Sequence, residues 1–565
     1  MRPWNLWKQL MFSTVGGIFY YMAVLIFSQQ QDNPDARILK GCLPLMHVRK
    51  RYTGFIIVLI IILGLLLSGC TGFTRLPSGT ENTKEPSVGT SPTPQDLKRA
   101  LFYDSSEGLA DITAPADFNW KKYEGITLNF ISENNVYANV LSREVEQFTK
   151  ITGIKVKIQS LDFNSMLEKI NLDFVSKTGK YQIVYVDPYQ TLTKFSKKLV
   201  DLNSFNNNEA LPHIPGGIED FFRSQVDVDS YFLNRDKLYT IPFDSPTMIL
   251  FYRKDILEKY GEKFKADKGY EIIPGDKSFT WEKYYEFAKW INYNVPKDEV
   301  KFGCGHQAKQ HNSLFVDFSN VLAAYGGNYF KDRNIGSLGA EDPYNSVIND
   351  GKGIRALEMY KKILDVADPR SFNWEWLGAA EAFKNGDIAM MPNWNEYVSV
   401  VENTEKSKVA GKVGYSLLPY GPAQSGNIYG GSGIGINSDA PLREQEAAWL
   451  FIIWATSPQT ELLVLKYPEG GDVPLRKSLY NLPEIKKAMV DGSAESKKYP
   501  ALLPMQAVLK AWEIENIYQR PKISKWPQVE AAITDELYKM ITRNVSADET
   551  AMYMERQIDL ITGQY

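Results

Sequence analysis

Cysteine and histidine are scarce in this chain, and neither sign of charge dominates. Three cysteines in 565 residues cannot build a disulfide framework. Four histidines are few for a metalloenzyme or a histidine-based hydrolase of this length. With 64 Lys and Arg against 67 Asp and Glu the net charge is −3, so no overall basic field exists to hold nucleic acid. These shortages tilt the reading away from catalysis. What is present is the makeup of a folded protein: 44% hydrophobic, 13% aromatic and 23% charged residues exclude a disordered, collagen-like or wholly membrane-embedded chain. The length allows roughly three to four units of about 150 residues, with more than one core.

The amino-terminal segments read as addresses. Arg49, Lys50 and Arg51 form a basic cluster, Phe55 to Leu67 is apolar apart from Gly64, and the run ends in Leu67-Ser68-Gly69-Cys70. A charged region, a short apolar stretch and a small-residue site make a secretory signal. The last four residues resemble a bacterial lipobox, which implies a signal peptide over 46–69 and a diacylated Cys70 as the new first residue. The alternative is an ordinary membrane anchor, for which Phe55–Leu67 is short of the ~20 residues a span needs. Residues 1–45 hold a second apolar run, Leu10 to Phe27, yet Met46 stands directly before the basic cluster. They are either an extension upstream of the true start or an extra membrane segment. The stretch 70–119 begins rich in Ser, Thr, Gly and Pro and reads as a flexible, lipid-anchored tether. Two acyl chains would hold it firmly to the membrane. Cys304 is then left unpaired, as a small buried hydrophobe.

The folded part opens as β-α-β-α-β. Ile126, Leu128 and Phe130 alternate with polar residues; Ala138, Leu141, Val145 and Phe148 share a helical face closed by Gly153. Ile154, Val156 and Ile158 alternate again. Ser165 and Glu168 have capping-box spacing, and 182–186 is a mostly apolar run suited to a buried parallel strand. An open parallel sheet is expected, with ligand groups beyond its carboxyl edge. The residues there are Glu133-Asn134-Asn135, Asp162-Phe163-Asn164 and Asp187-Pro188-Tyr189. Amides, carboxylates and rings suit a neutral hydroxylated ligand, although Asn and Asp also cap helices.

Further along, Leu238-Tyr-Thr-Ile-Pro-Phe-Asp-Ser-Pro-Thr-Met-Ile-Leu-Phe-Tyr-Arg-Lys-Asp255 is followed by a Thr280-Trp281 pair that starts a helix. Then come Tyr325-Gly-Gly-Asn-Tyr-Phe330, Glu381-Ala-Phe-Lys-Asn-Gly-Asp-Ile-Ala-Met-Met-Pro392, Tyr429-Gly-Gly-Ser-Gly-Ile-Gly-Ile436 and Val473-Pro-Leu-Arg476. In this order, behind a lipobox, the motifs resemble the family 1 extracellular solute-binding proteins of ABC importers, the class with maltose-type binding proteins. The resemblance covers about residue 120 to the end. It implies an α/β, two-lobe periplasmic-binding-protein-like fold of type II, with a hinge between the lobes and the ligand cleft at their interface. Lobe one would hold 120–250 and 430–480, and lobe two 251–429 and 481–565. Hinge closure would capture a mono- or oligosaccharide and deliver it unaltered to a membrane permease, with no covalent chemistry and no cofactor. The protein would work as a monomer on the extracytoplasmic face of the cell membrane, without nucleic acid.

The expected ligand residues are Asn134, Asp187, Tyr189, Asp244, Trp376, Trp394, Glu396 and Tyr429, with Arg476 as a further contact. Trp376 and Trp394 would stack on sugar rings or else belong to lobe core. Ser432 departs from the aromatic many family members carry after the paired glycines. Three rivals stand beside this reading. The same fold could bind a polyamine or peptide. A secreted glycoside hydrolase needs two carboxylates ~5–10 Å apart, which a chain this rich in acids always offers. A metal at Cys304, His306 and His311 fits no standard zinc spacing, so none is assigned.

Overall fold

The computed structural model describes residues 108–563, apart from 342–344, 468–471, 491, 492, 494, 495 and 497. The expected signal peptide, Cys70 and most of the expected tether therefore lie outside the described residues. The tether expected to reach 119 stops earlier. Ile112 is buried in the folded body, and the Thr113 carbonyl accepts the His213 amide, so apolar burial and pairing recruit this end into the fold.

Strand β1 (Thr127–Glu133) leads into α1 (Val136–Thr152), whose cap Asn135 accepts the Ala138 amide and whose end is Gly153 at φ 70°. Strand β2 (Lys155–Leu161) and helix α2 (Phe163–Ser176) follow. The cap of α2 is Asp162, which accepts from the Ser165 amide at 3.0 Å; the anticipated Ser165–Glu168 box falls inside the helix, because the Asp162 carboxylate serves the first turn's amides before it. Strand β3 (Ile183–Val186) is wholly buried and, like β2, parallel to β1. Strand β4 (Thr240–Asp244) ends this half.

After Ser245-Pro246-Thr247 the chain enters a second sheet. Strand β5 (Met248–Arg253) lies between β6 (Met390–Trp394) and β7 (Val413–Ser416), antiparallel to both. Helices α3 (Trp281–Asn294), α4 (Asn312–Ala324) and α5 (Trp376–Lys384) pack around it. Thr280 caps α3 as its sequence suggested, and Gly386, at φ 75°, turns the chain out of α5. Strand β8 (Asn427–Ile428) leads back to β9 (Ser432–Ile436), which inserts between β3 and β4, antiparallel to each. The first sheet is thus mixed, in order β2-β1-β3-β9-β4, and not the purely parallel sheet expected. The glycines of β9 explain how it fits: a Cβ on Gly433 would collide with Thr240 Oγ1.

Helices α6 (Leu442–Ala455) and α7 (Pro458–Leu465) return to the first sheet. Their apolar surfaces are nearly all buried; Trp449, for example, is fully covered and donates to the Pro212 carbonyl. Among the described residues no single helix is long and apolar enough to cross a membrane. A short parallel bridge of β10 (Ile517–Tyr518) to β8, then α8 (Trp526–Arg543) and α9 (Ala547–Thr562), complete the second body. Two cores result. One gathers Phe130, Phe243, Ile434 and Phe451; the other gathers Phe251, Trp281, Phe315, Met391 and Trp526.

Candidate functional site

The chain passes between the cores at 244–248, at 428–432 and again between Leu475 and Leu479. Thr247 and Tyr429 form an antiparallel bridge where the first two passages touch. Carboxylates collect beside them. A bulge between Pro242 and Asp244 re-aims the end of β4. Asp244 Oδ2 there accepts from Asn135 Nδ2 at 2.8 Å and from the Tyr185 hydroxyl at 3.1 Å. Oxygens of Asp244, Glu396 and Asp472 lie within 4.8 Å of one another. Burial pushes Asp244 up to about 6, and pushes Glu396 and Asp472, each facing the Asp244 charge, well above the carboxylate range. Glu133, at the end of β1, is raised to about 8 by burial and then by Asp244 and Asp187.

A second group of residues lies farther along the seam. Asp187 Oδ1 accepts the amides of Tyr189 and Gln190, so this carboxylate caps a short helical turn. Its other oxygen is 3.8 Å from Arg520, whose guanidinium sits 4.0 Å from the centre of the Tyr189 ring. Burial raises Asp187 against the pull of Arg520. Gln190 reaches Glu530 on α8 at 3.1 Å. Beside it opens a groove of about 410 Å³, lined by Phe163, Asn164 and Gln190 on one wall and His311, Glu530 and Asp535 on the other. Trp376 lies 5.2 Å from His311 and 6.0 Å from Trp394, centre to centre, both edge to face. The Trp376 Nε1 and Glu396 Oε2 atoms are buried without a hydrogen-bond partner. Gly430 makes room for the Trp394 ring, since a Cβ there would meet it at 2.8 Å.

The family model for bacterial extracellular solute-binding proteins matches residues 134–461. The chain belongs to that family. A probable amino-acid ABC transporter periplasmic-binding protein of Sinorhizobium fredii is 20% identical over 465 residues, 82% of this chain and 93% of its own. The mannitol-binding protein of Pseudomonas aeruginosa is 22% identical over 63% of this chain and 75% of its own. Among solved structures, an ABC transporter solute-binding protein of Agrobacterium radiobacter in complex with ribitol superposes with a TM-score of 0.61 at 22% identity, covering 77% of this chain and 98% of its own. This solute-binding protein thus has the two-lobe fold and is an extracytoplasmic component of an ABC transporter.

Within the solute-binding protein the sequence candidates fall into three sets. Asp244, Trp394 and Glu396 meet at the passages between the cores, with Trp376 against Trp394; Asp187 and Tyr189 line the same seam through Arg520. Asn134 is exposed on the outside of the β1 turn, where it accepts from Asn139. Tyr429 and Arg476 are occupied by the protein itself. Tyr429 is fully buried and donates to Asp229 at 2.8 Å. Arg476, also fully buried, donates to the carbonyls of Thr456 at 2.7 Å and Pro215 at 2.6 Å and to Asp220 at 3.3 Å.

Sequence reasoning missed Asp472, Tyr185, Arg520 and Lys522. Lys522 is buried, donates to the carbonyls of Asp227, Val228 and Tyr231, and is lowered by burial to about 7. Asp472 could have been suspected as the residue just before Val473-Pro-Leu-Arg476. Arg520 and Lys522 carry no local signal, because their partners lie some 300 residues away.

Proposed function

We propose that this protein captures a small polyhydroxylated solute, a sugar or sugar alcohol, between its lobes by hinge closure and passes it unaltered to an ABC permease. The observation that supports this most is the Trp376–Trp394 pair at the end of β6, two residues before Glu396, whose Oε2 is buried without a donor. Aromatic faces cover the apolar side of a sugar, and lone carboxylate oxygens accept its hydroxyl hydrogens. The binding of mannitol and ribitol by relatives of this fold is in keeping with it. Cys70 would carry the lipid that moors the protein outside the membrane. The excess of acids in the seam favours a second reading, a cationic solute such as a polyamine.

Thermal-shift screening decides between them. A sugar or polyol at 100 times its dissociation constant adds about 2.7 kcal/mol to stability. A shift with polyols or sugars and none with diamines supports the first reading. A shift with diamines alone overturns it.

A further inference from the structure

We propose that Asp244, Glu396 and Asp472 form a binding site for one divalent cation of the calcium type, shared by both lobes. The three side chains converge from separate elements: the end of β4, the turn after β6, and the residue leading into Val473. Their ligand-capable oxygens lie within 4.8 Å of one another. Oxygens bound to calcium at 2.3–2.6 Å are at most about 5 Å apart, so the trio fits around one ion with little movement.

The division of labour within two of the carboxylates points the same way. Asp244 has one oxygen held by Asn135 and Tyr185, while its Oδ1 is buried with no hydrogen-bond partner. Asp472 has Oδ1 held by the Val473 amide at 2.7 Å, and its Oδ2 is buried and unpartnered. Glu396 Oε2 is likewise unpartnered. One oxygen oriented by the protein and one left free is the arrangement of a metal ligand with its supporting shell. An independent observation comes from β9. Ser432 is 1% exposed, sits opposite Asp244 in the β4–β9 register, and its Oγ has no hydrogen-bond partner. It offers a neutral oxygen to the same space. Among the described residues no lysine or arginine forms an ion pair with any of the three acids. An all-oxygen donor set, with no histidine or cysteine in the trio, favours calcium over zinc or copper. Magnesium, with bonds near 2.1 Å, would need the oxygens drawn to within about 4.2 Å.

The cation would take the same free oxygens that the proposed function offers to solute hydroxyls, so the test uses the metal alone. Protein stripped with EGTA is titrated calorimetrically with calcium chloride, in the absence of any sugar. The expected result is one ion per chain, bound about tenfold or more weakly by Glu396→Gln and Asp472→Asn and several-fold more weakly by Ser432→Ala. The thermal unfolding of each variant in EGTA reports whether it folds. Ser432→Ala removes only a hydroxyl and keeps the test decisive if an acid variant does not. No binding by the wild type, binding unchanged in the variants, or a diamine held by the trio in place of calcium overturns the proposal. If calcium is not bound and sugar or polyol binding persists in EGTA, the cation site fails and the solute reading stands.

Discussion

The Asp317 carboxylate lies 2.8 Å from His306 Nδ1, and both side chains are sealed inside the second core. Tyr284 pairs with His306 Nε2 at 3.0 Å, and Tyr360 donates to Asp317 at 2.9 Å. Burial alone would lower the imidazole pKa; the charge and hydrogen bond of Asp317, helped by Cys304, outweigh it and push His306 up to about 10. The unfolded imidazole titrates near 6.5. Its contribution to stability is therefore complete below about pH 6.5 and is lost as pH rises through about 10. Urea unfolding at pH 6.5, 8 and 10 is expected to show stability falling across that window. Replacing His306 with Leu strands the Asp317 charge, costs about 3–5 kcal/mol, and flattens this part of the slope. A variant with the wild-type slope would refute the assignment.

Gly433 and Thr240 make a close contact that admits no side chain on the glycine: a Cβ there would overlap the threonine Oγ1. Gly433→Ala is expected to destabilise by about 1–3 kcal/mol through overpacking in the first sheet. Thr240→Gly removes the Oγ1 and also the Cβ, which would stand 2.5 Å away, and with them a bond to the Asp229 carbonyl. The double variant should therefore lose less than the sum of the two single losses, as read from denaturant midpoints. Strict additivity would place the strain elsewhere.

Local pattern carried much of the fold. Alternation at Ile126–Phe130, the helical face closed by Gly153 and the Thr280 cap all correspond to elements in the structure. What could not be read locally is pairing across long separations. Nothing around Ile183 announces that residues some 250 positions later pair with it; the family resemblance returned 430–480 to this lobe, but the antiparallel insertion of β9 could not be read. The seam shows the same division. Asp244, Trp394 and Glu396 follow recognisable motifs, whereas Arg520 is marked only by its distant partners, Asp187 and Tyr189. Asp162 shows a smaller failure: two capping patterns competed, and the one nearer the strand won.

Arg476 separates a structural role from a binding role. Its donors engage the carbonyls of Thr456 and Pro215, and Glu461 lies 3.6 Å from its Nε. Arg476→Ala would leave Glu461 buried and uncompensated, at a cost of about 3–5 kcal/mol. Solute affinity of the folded fraction is expected to change little. Calorimetric titration below the variant's melting temperature checks this. A loss of affinity without a loss of stability would make Arg476 a ligand contact.

Trp376 should behave in the opposite way. It heads α5 at the edge of the seam, only partly buried, and its Nε1 has no hydrogen-bond partner. Trp394 is set deeper, at 6% exposure, and packs against Gly430 on the passage between the cores. Removing the Trp376 ring takes away a stacking face while leaving the covered side of β6 in place. Trp376→Ala is expected to weaken solute binding about tenfold or more, the loss of roughly 1.5 kcal/mol that one aromatic contact supplies beyond its area, with a smaller effect on the melting temperature. Gly430→Ala tests the same wall from behind: its Cβ would displace the Trp394 ring and reduce affinity although no solute-contacting group is deleted. Titration of both variants with the solute found by screening, alongside their melting curves, checks the pair. Wild-type affinity in Trp376→Ala would move the solute away from the tryptophans and leave them as packing at the lobe interface.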